Sequence, residues 1–63
     1  MSKYILVMDE KIGEQELYFV TNGEFSSDQS KAKRMSFDES EIENIRLQLI
    51  GIKNWIRSAD PGS

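Results

Sequence analysis

Five aliphatic residues, Ile42, Ile45, Leu49, Ile52 and Ile56, follow one another at steps of 3, 4, 3 and 4. On an α-helix that spacing makes one continuous apolar stripe. Such a stripe must be covered. The other apolar material lies in two short runs, Tyr4-Ile5-Leu6-Val7-Met8 and Leu17-Tyr18-Phe19-Val20. The pattern predicts an α+β fold in the order β-β-β-α-α. A three-stranded antiparallel β-meander would pack on one long C-terminal helix, with a short helix before it.

The strands can be placed from composition and turn chemistry. Residues 4–8 are rich in β-branched and aromatic side chains, and both faces of the run are apolar. That marks a central strand, or one with an extra layer on its second face. The polar stretch Asp9–Glu16, with Gly13 inside it, reads as a hairpin connection with frayed strand ends. Residues 17–21 make the second strand. Asn22-Gly23 is a strong hairpin signal, because both residues tolerate positive φ. A short third strand, Glu24–Ser26, follows with Phe25 as its anchor.

Ser27 or Asp28 would cap a short helix over residues 29–34, from which Ala32 and Met35 could reach the core. Ser36-Phe37-Asp38-Glu39 fits a capping box. Asp38, Glu39, Glu41 and Glu43 suit the N-terminal end of the helix dipole, and Arg46, Lys53 and Arg57 its C-terminal end. The long helix is therefore expected from about Phe37 to about Arg57. Gly51 would lie inside it, marking close packing or a bend. Residues 1–57 are expected to form a single α+β domain and 58–63 a disordered tail, with Gly62-Ser63 a candidate cloning remnant.

Composition narrows the function classes. A 63-residue chain has room for one modest core, and without cysteine or histidine it lacks a disulfide and the usual zinc ligands. Oligomerisation or a partner is the remaining reinforcement. The missing histidine and cysteine also remove the commonest general base and a thiol nucleophile, and the isolated glycines form no phosphate loop. No enzyme and no cofactor are expected. The paired carboxylates near residue 40 read as a helix N-terminus satisfying its dipole. The acidic residues Asp9, Glu10, Glu14 and Glu16 do not follow a calcium-loop spacing, so no metal is expected there. They read as solvated loop charges that could steer the chain toward a basic partner. No run approaches a membrane span or a signal-peptide core, which points to the cytoplasm.

A net charge of −3 disfavours nucleic acid. The small basic cluster Lys31, Lys33 and Arg34, with the aromatics Tyr18 and Phe25, carries the alternative of a nucleic-acid-binding regulator. On a helical projection, Leu47 and Ile50 lie opposite the main stripe and Trp55 lies on another flank. One helix on a small sheet cannot bury all of them. Leu47, Ile50 and Trp55 are thus expected to form a self-association or partner surface, giving a homodimer.

The passage Ala32-Lys33-Arg34-Met35-Ser36-Phe37-Asp38-Glu39-Ser40-Glu41-Ile42, after an opening strand Lys3-Tyr4-Ile5-Leu6-Val7, resembles small proteins encoded by bacteriophages and prophages of low-GC Gram-positive bacteria. Met35 stands where those proteins commonly carry an aromatic, and Ser40 or Glu41 where alanine is common. The resemblance spans residues 3–50. It implies a stoichiometric inhibitor of a host protein, such as a CRISPR effector, another defence enzyme or the transcription machinery. An accessory subunit of a phage complex is a further expectation. The resemblance assigns no functional residue.

Overall fold

Strand β1 (Tyr4–Ile12) runs through the middle of a four-stranded antiparallel sheet, in a computed structural model that describes residues 3–21 and 23–59. Strands β2 (Gln15–Thr21) and β3 (Glu24–Ser26) follow it as a meander. A single-turn 3₁₀ segment (Gln29–Lys31), the helix α1 (Phe37–Leu49) and the strand β4 (Asn54–Ser58) complete the fold. The spatial order is β3-β2-β1-β4.

The central position of β1 follows from its two apolar faces. Ile5, Leu6 and Val7 are all fully buried, so each side of the strand needs its own cover. On one side Leu6 and Met8 join Phe19, Met35 and Leu47. On the other, Ile5 and Val7 join Tyr18 and Ala32. The segment between β3 and α1 therefore plugs both faces, Ala32 one and Met35 the other. Asp28 caps its turn by accepting from the Ser30 amide at 3.0 Å. Met35 then bridges Tyr4 through reciprocal backbone hydrogen bonds of 2.8 and 2.9 Å, which fixes where α1 starts.

The polar stretch after Met8 is strand for longer than its composition suggests. Ile12 pairs with Gln15, leaving Gly13-Glu14 as a two-residue turn. Gly13 has φ +63°, the glycine-first pattern of a II′ hairpin turn. Cross-strand hydrogen bonding and a tight turn carry polar residues that lack a hydrophobic face of their own.

The long C-terminal helix is not formed. The α-helix stops at Leu49, and the chain returns as β4, antiparallel to β1 from Tyr4↔Ser58 to Met8↔Asn54. The stop is built around Gly51, which has φ +90°. Its amide donates to the Gln48 carbonyl at 3.0 Å, and the Ile52 amide donates to the Leu47 carbonyl at 2.9 Å. That pair of bonds is a Schellman motif, and Ile52 packs with the Leu47 cluster as the motif's usual apolar contact. Gly51 is thus a terminator, not an interior helical residue. Ile52 and Ile56 leave the stripe, and Ile56 and Trp55 become strand residues.

The start of α1 matches expectation. The Ser36 hydroxyl accepts from the Glu39 amide at 3.3 Å. The Glu39 carboxylate answers through the Ser36 hydroxyl at 3.5 Å rather than the backbone amide. Ser58 and Ala59 do not belong to the expected disordered tail, since Ser58 ends β4 and the Ala59 amide donates to the Lys3 carbonyl at 2.9 Å, and the rest of that tail, 60–63, lies outside the described residues. The expectations for Gly62 and Ser63 lie outside the described residues.

Gly51→Ala forces a Cβ into the left-handed region, although the surrounding space is open. It should lower stability by about 1–2 kcal/mol, from backbone strain alone. A reduced urea midpoint with an unchanged m-value is the expected reading.

Candidate protein-interaction surfaces

The helix presents its aliphatic stripe to solvent. At about 100° per residue, Ser40, Asn44 and Leu47 share one face and Ile42, Ile45 and Leu49 the opposite one. The first face docks on the sheet. Ser40 is fully buried, its hydroxyl bonded to the Phe37 carbonyl at 2.6 Å, and Leu47 is 5% exposed. Ile42, Ile45 and Leu49 are 56%, 57% and 82% exposed, and the C-cap residue Ile50 is 68% exposed. The stripe that periodicity predicts as the core side of the helix is its solvent side.

Anchors at both ends and in the middle explain the inversion. Met35–Tyr4 fixes the approach, and Tyr4 and Phe37 meet edge to face at 5.2 Å. In the middle, the Asn44 side-chain amide donates to the Asn54 side chain at 2.7 Å and to the Asn54 carbonyl at 3.1 Å. Gln48 holds the Asn44 oxygen at 2.9 Å. This clamp ties α1 to β4, and a half-buried amide network satisfied in this way resists rotation of the helix.

A second feature lies on the same side of the sheet, beyond the C-terminal end of α1. A groove of about 390 Å³ is lined by Met8, Leu17, Phe25 and Ile52, with Asp9, Glu10, Gly51 and Lys53 completing its wall. The hairpin brings Leu17 and Phe25 beside Met8, while the Schellman turn delivers Ile52. Phe25 packs edge to face on Phe19 at 6.3 Å. The helix covers the β1–β4 half of this face and leaves the β2–β3 half open at the groove.

The other face of the sheet carries a polar bridge. Arg57 stands opposite Ile5 on β4 and reaches across β1 to Glu16 on β2, at 3.1 Å. Its guanidinium also donates to the Tyr18 hydroxyl at 3.3 Å, and Tyr18 donates to Glu16 at 3.1 Å. The hydrogen bond from Arg57, then that from Tyr18, holds the Glu16 carboxyl below its ordinary value of 4.5. Glu16 is therefore engaged in structure rather than free for steering. Asp9, Glu10 and Glu14 are exposed, the first two on the groove wall and Glu14 in the hairpin turn.

The three residues expected to form one association surface are not brought together. Leu47 is buried against the sheet, because the helix docks through its face. Trp55 lies on β4 opposite Val7, on the Arg57 side of the sheet, and is 39% exposed. Ile50 caps the C-terminal end of α1 and is 68% exposed. The residues that sequence reasoning missed as surface, Ile42, Ile45 and Leu49, were hidden by their own pattern, which reads as core. The available signal was Gly51 followed by Ile52, a stop signature that shortens the stripe to residues 42–49.

The elements of the nucleic-acid alternative are also dispersed. Lys31, Lys33 and Arg34 are exposed, but Tyr18 is buried on one sheet face and Phe25 packs on the other. No stacking platform forms from those two rings. Among the described residues there is no group of acidic side chains that could hold a metal, and no helix long and apolar enough to cross a membrane.

The Glu16 interactions make a signed pH prediction. A depressed folded-state value contributes stability above the unfolded value of 4.5, lost as pH falls through the folded value. Glu16→Gln should therefore flatten part of the acid limb of a stability–pH profile below pH 4.5, read by thermal unfolding at a series of pH values. An unchanged acid limb would mean that the bridge contributes nothing in solution. No protein-family model matches this chain, and no curated relative or solved structure was found to match it either.

Proposed function

We propose that this chain is a small protein-binding domain that inhibits a host protein stoichiometrically in a bacterial cytoplasm, without catalysis. Its part would be that of a phage- or prophage-type antagonist of a CRISPR effector or another defence factor. The observation that best supports the binding role is the groove. Met8, Leu17, Phe25 and Ile52 supply an apolar floor, and Asp9 and Glu10 supply negative charge on its wall. An apolar pocket of this kind receives a side-chain anchor, while rim charges set orientation and association rate.

The partner chemistry follows from that lining. The occupant would be a protein segment carrying one large aliphatic or aromatic side chain next to lysine or arginine. Lys53, whose carbonyl accepts from the Asp9 amide at 2.9 Å, adds a cation beside those carboxylates and favours a single acidic or carbonyl group on the same segment. The net charge of −3 points the same way, toward a basic partner surface. The inhibitory part of the reading rests on the resemblance around Ala32–Ile42, not on the groove.

Two measurements test this. Full-length protein immobilised against bacterial host lysate should recover a partner in near-equimolar amount, more efficiently at low salt. The variant carrying both Asp9→Lys and Glu10→Lys should slow association, and Leu17→Glu should abolish recovery while circular dichroism reports an intact fold. A partner that binds both variants like wild type places the contact elsewhere. Adding the protein to the purified partner should then titrate away the partner's activity at about one equivalent, and full activity with saturating protein would remove the inhibitory reading.

A further inference from the structure

We infer that the outer face of α1 is a homodimer interface, occupied by a second copy of the same helix in antiparallel orientation. Ile42, Ile45 and Leu49 lie 56–82% exposed on one helix face, and none of them lines the groove. Three such side chains make a patch on the order of a few hundred Å², within the range of the largest patches that soluble monomers expose. Two such patches face to face, with their polar margins, approach the roughly 1,000 Å² that separates specific interfaces from incidental contacts. The area suits a self-complementary two-fold contact of moderate affinity.

The charge pattern decides the direction. Asp38, Glu39 and Glu41 crowd the N-terminal half of α1, and Arg46 lies near its C-terminal end. A parallel pair would set acid against acid and align the helix dipoles. An antiparallel pair opposes acid to base and dipole to dipole. Glu39 and Arg46 are seven residues apart, on the same flank of the stripe. Two-fold antiparallel packing centred between Ile42 and Ile45 brings each Glu39 to the other copy's Arg46, twice per dimer. Arg46 already holds Glu43 at 3.2 Å, but 64% of its side chain is exposed and its fork has donors for a second carboxylate.

The steric fit agrees. Ile42 of one helix meets Ile45 of the other at the centre, a spacing that lets branched side chains interlock between helices about 8–10 Å apart. Leu49, the most exposed of the group, falls over the partner helix's first turn.

Sedimentation equilibrium of the full chain at rising concentration tests the inference. Wild type should show a monomer–dimer equilibrium at micromolar to high micromolar concentration. Ile45→Glu should leave it monomeric with an unchanged circular dichroism spectrum, since the residue makes no core contact. Arg46→Glu should weaken the dimer about tenfold, through two lost pairs and the repulsion that replaces them. Adding Glu39→Arg to that variant should restore affinity. A monomeric wild type at high micromolar concentration, or an Ile45→Glu chain that still dimerises, overturns the proposal. Ready disulfide formation by Leu49→Cys would overturn the antiparallel direction, because the two cysteines would lie about 16 Å apart along the axis of an antiparallel pair. None of these readouts involves the groove, so the dimer and the partner-binding function stand or fall separately.

Discussion

The whole topology turns on one helix ending. Gly51 adopts a backbone conformation that side-chain-bearing residues resist, and the two amides around it capture the carbonyls of Leu47 and Gln48. The helix is closed there with its terminal carbonyls satisfied. The chain is turned back and Ile52 is driven into the core. Only because of that reversal can Asn54–Ser58 reach the open edge of β1. Without it β1 would be an edge strand with fully apolar faces, a liability for aggregation.

The central strand makes the second demand. Its buried residues point both ways, so a chain this short must cover two faces with one helix and one irregular segment. It does so by using residues 28–35 as a two-sided plug and by sending the Arg57 arm over the second face to Glu16 and Tyr18. Neither device is a large apolar layer. The helix is oriented by the Asn44–Asn54 amide clamp as well as by Leu47. A polar clamp of that kind adds directionality that a hydrophobic contact lacks.

These two requirements leave apolar surface exposed in two places of different character. The groove is concave, with an acidic wall and an apolar floor, and suits an inserted side chain. The outer face of α1 is convex and ridged, flanked by charges of both signs, and suits another helix. The two share no residue, which allows a chain of 63 residues to pair with itself and still engage something else. Tryptophan and the basic cluster, the most suggestive residues when read one at a time, fall outside both.

Much of the architecture was readable from local chemistry. The two-sided apolar run of Tyr4–Met8 marked the central strand, Asn22-Gly23 marked a hairpin, and Ser36 with Glu39 marked the helix start. These signals are local, since turn, cap and alternation act within a few residues. The groove was not readable, because Met8, Leu17, Phe25 and Ile52 are joined only by strand register and the returning turn. Nor was the facing of α1. Periodicity says that Ile42, Ile45 and Leu49 share a face, but not which way the face points. That direction is a tertiary decision, made by the Met35–Tyr4 bridge at one end, the Asn44–Asn54 clamp in the middle and the Gly51 turn at the other. Sequence alone determined that an aliphatic ridge exists. The fold decided that it looks outward, because the anchors that hold the helix lie on its polar side.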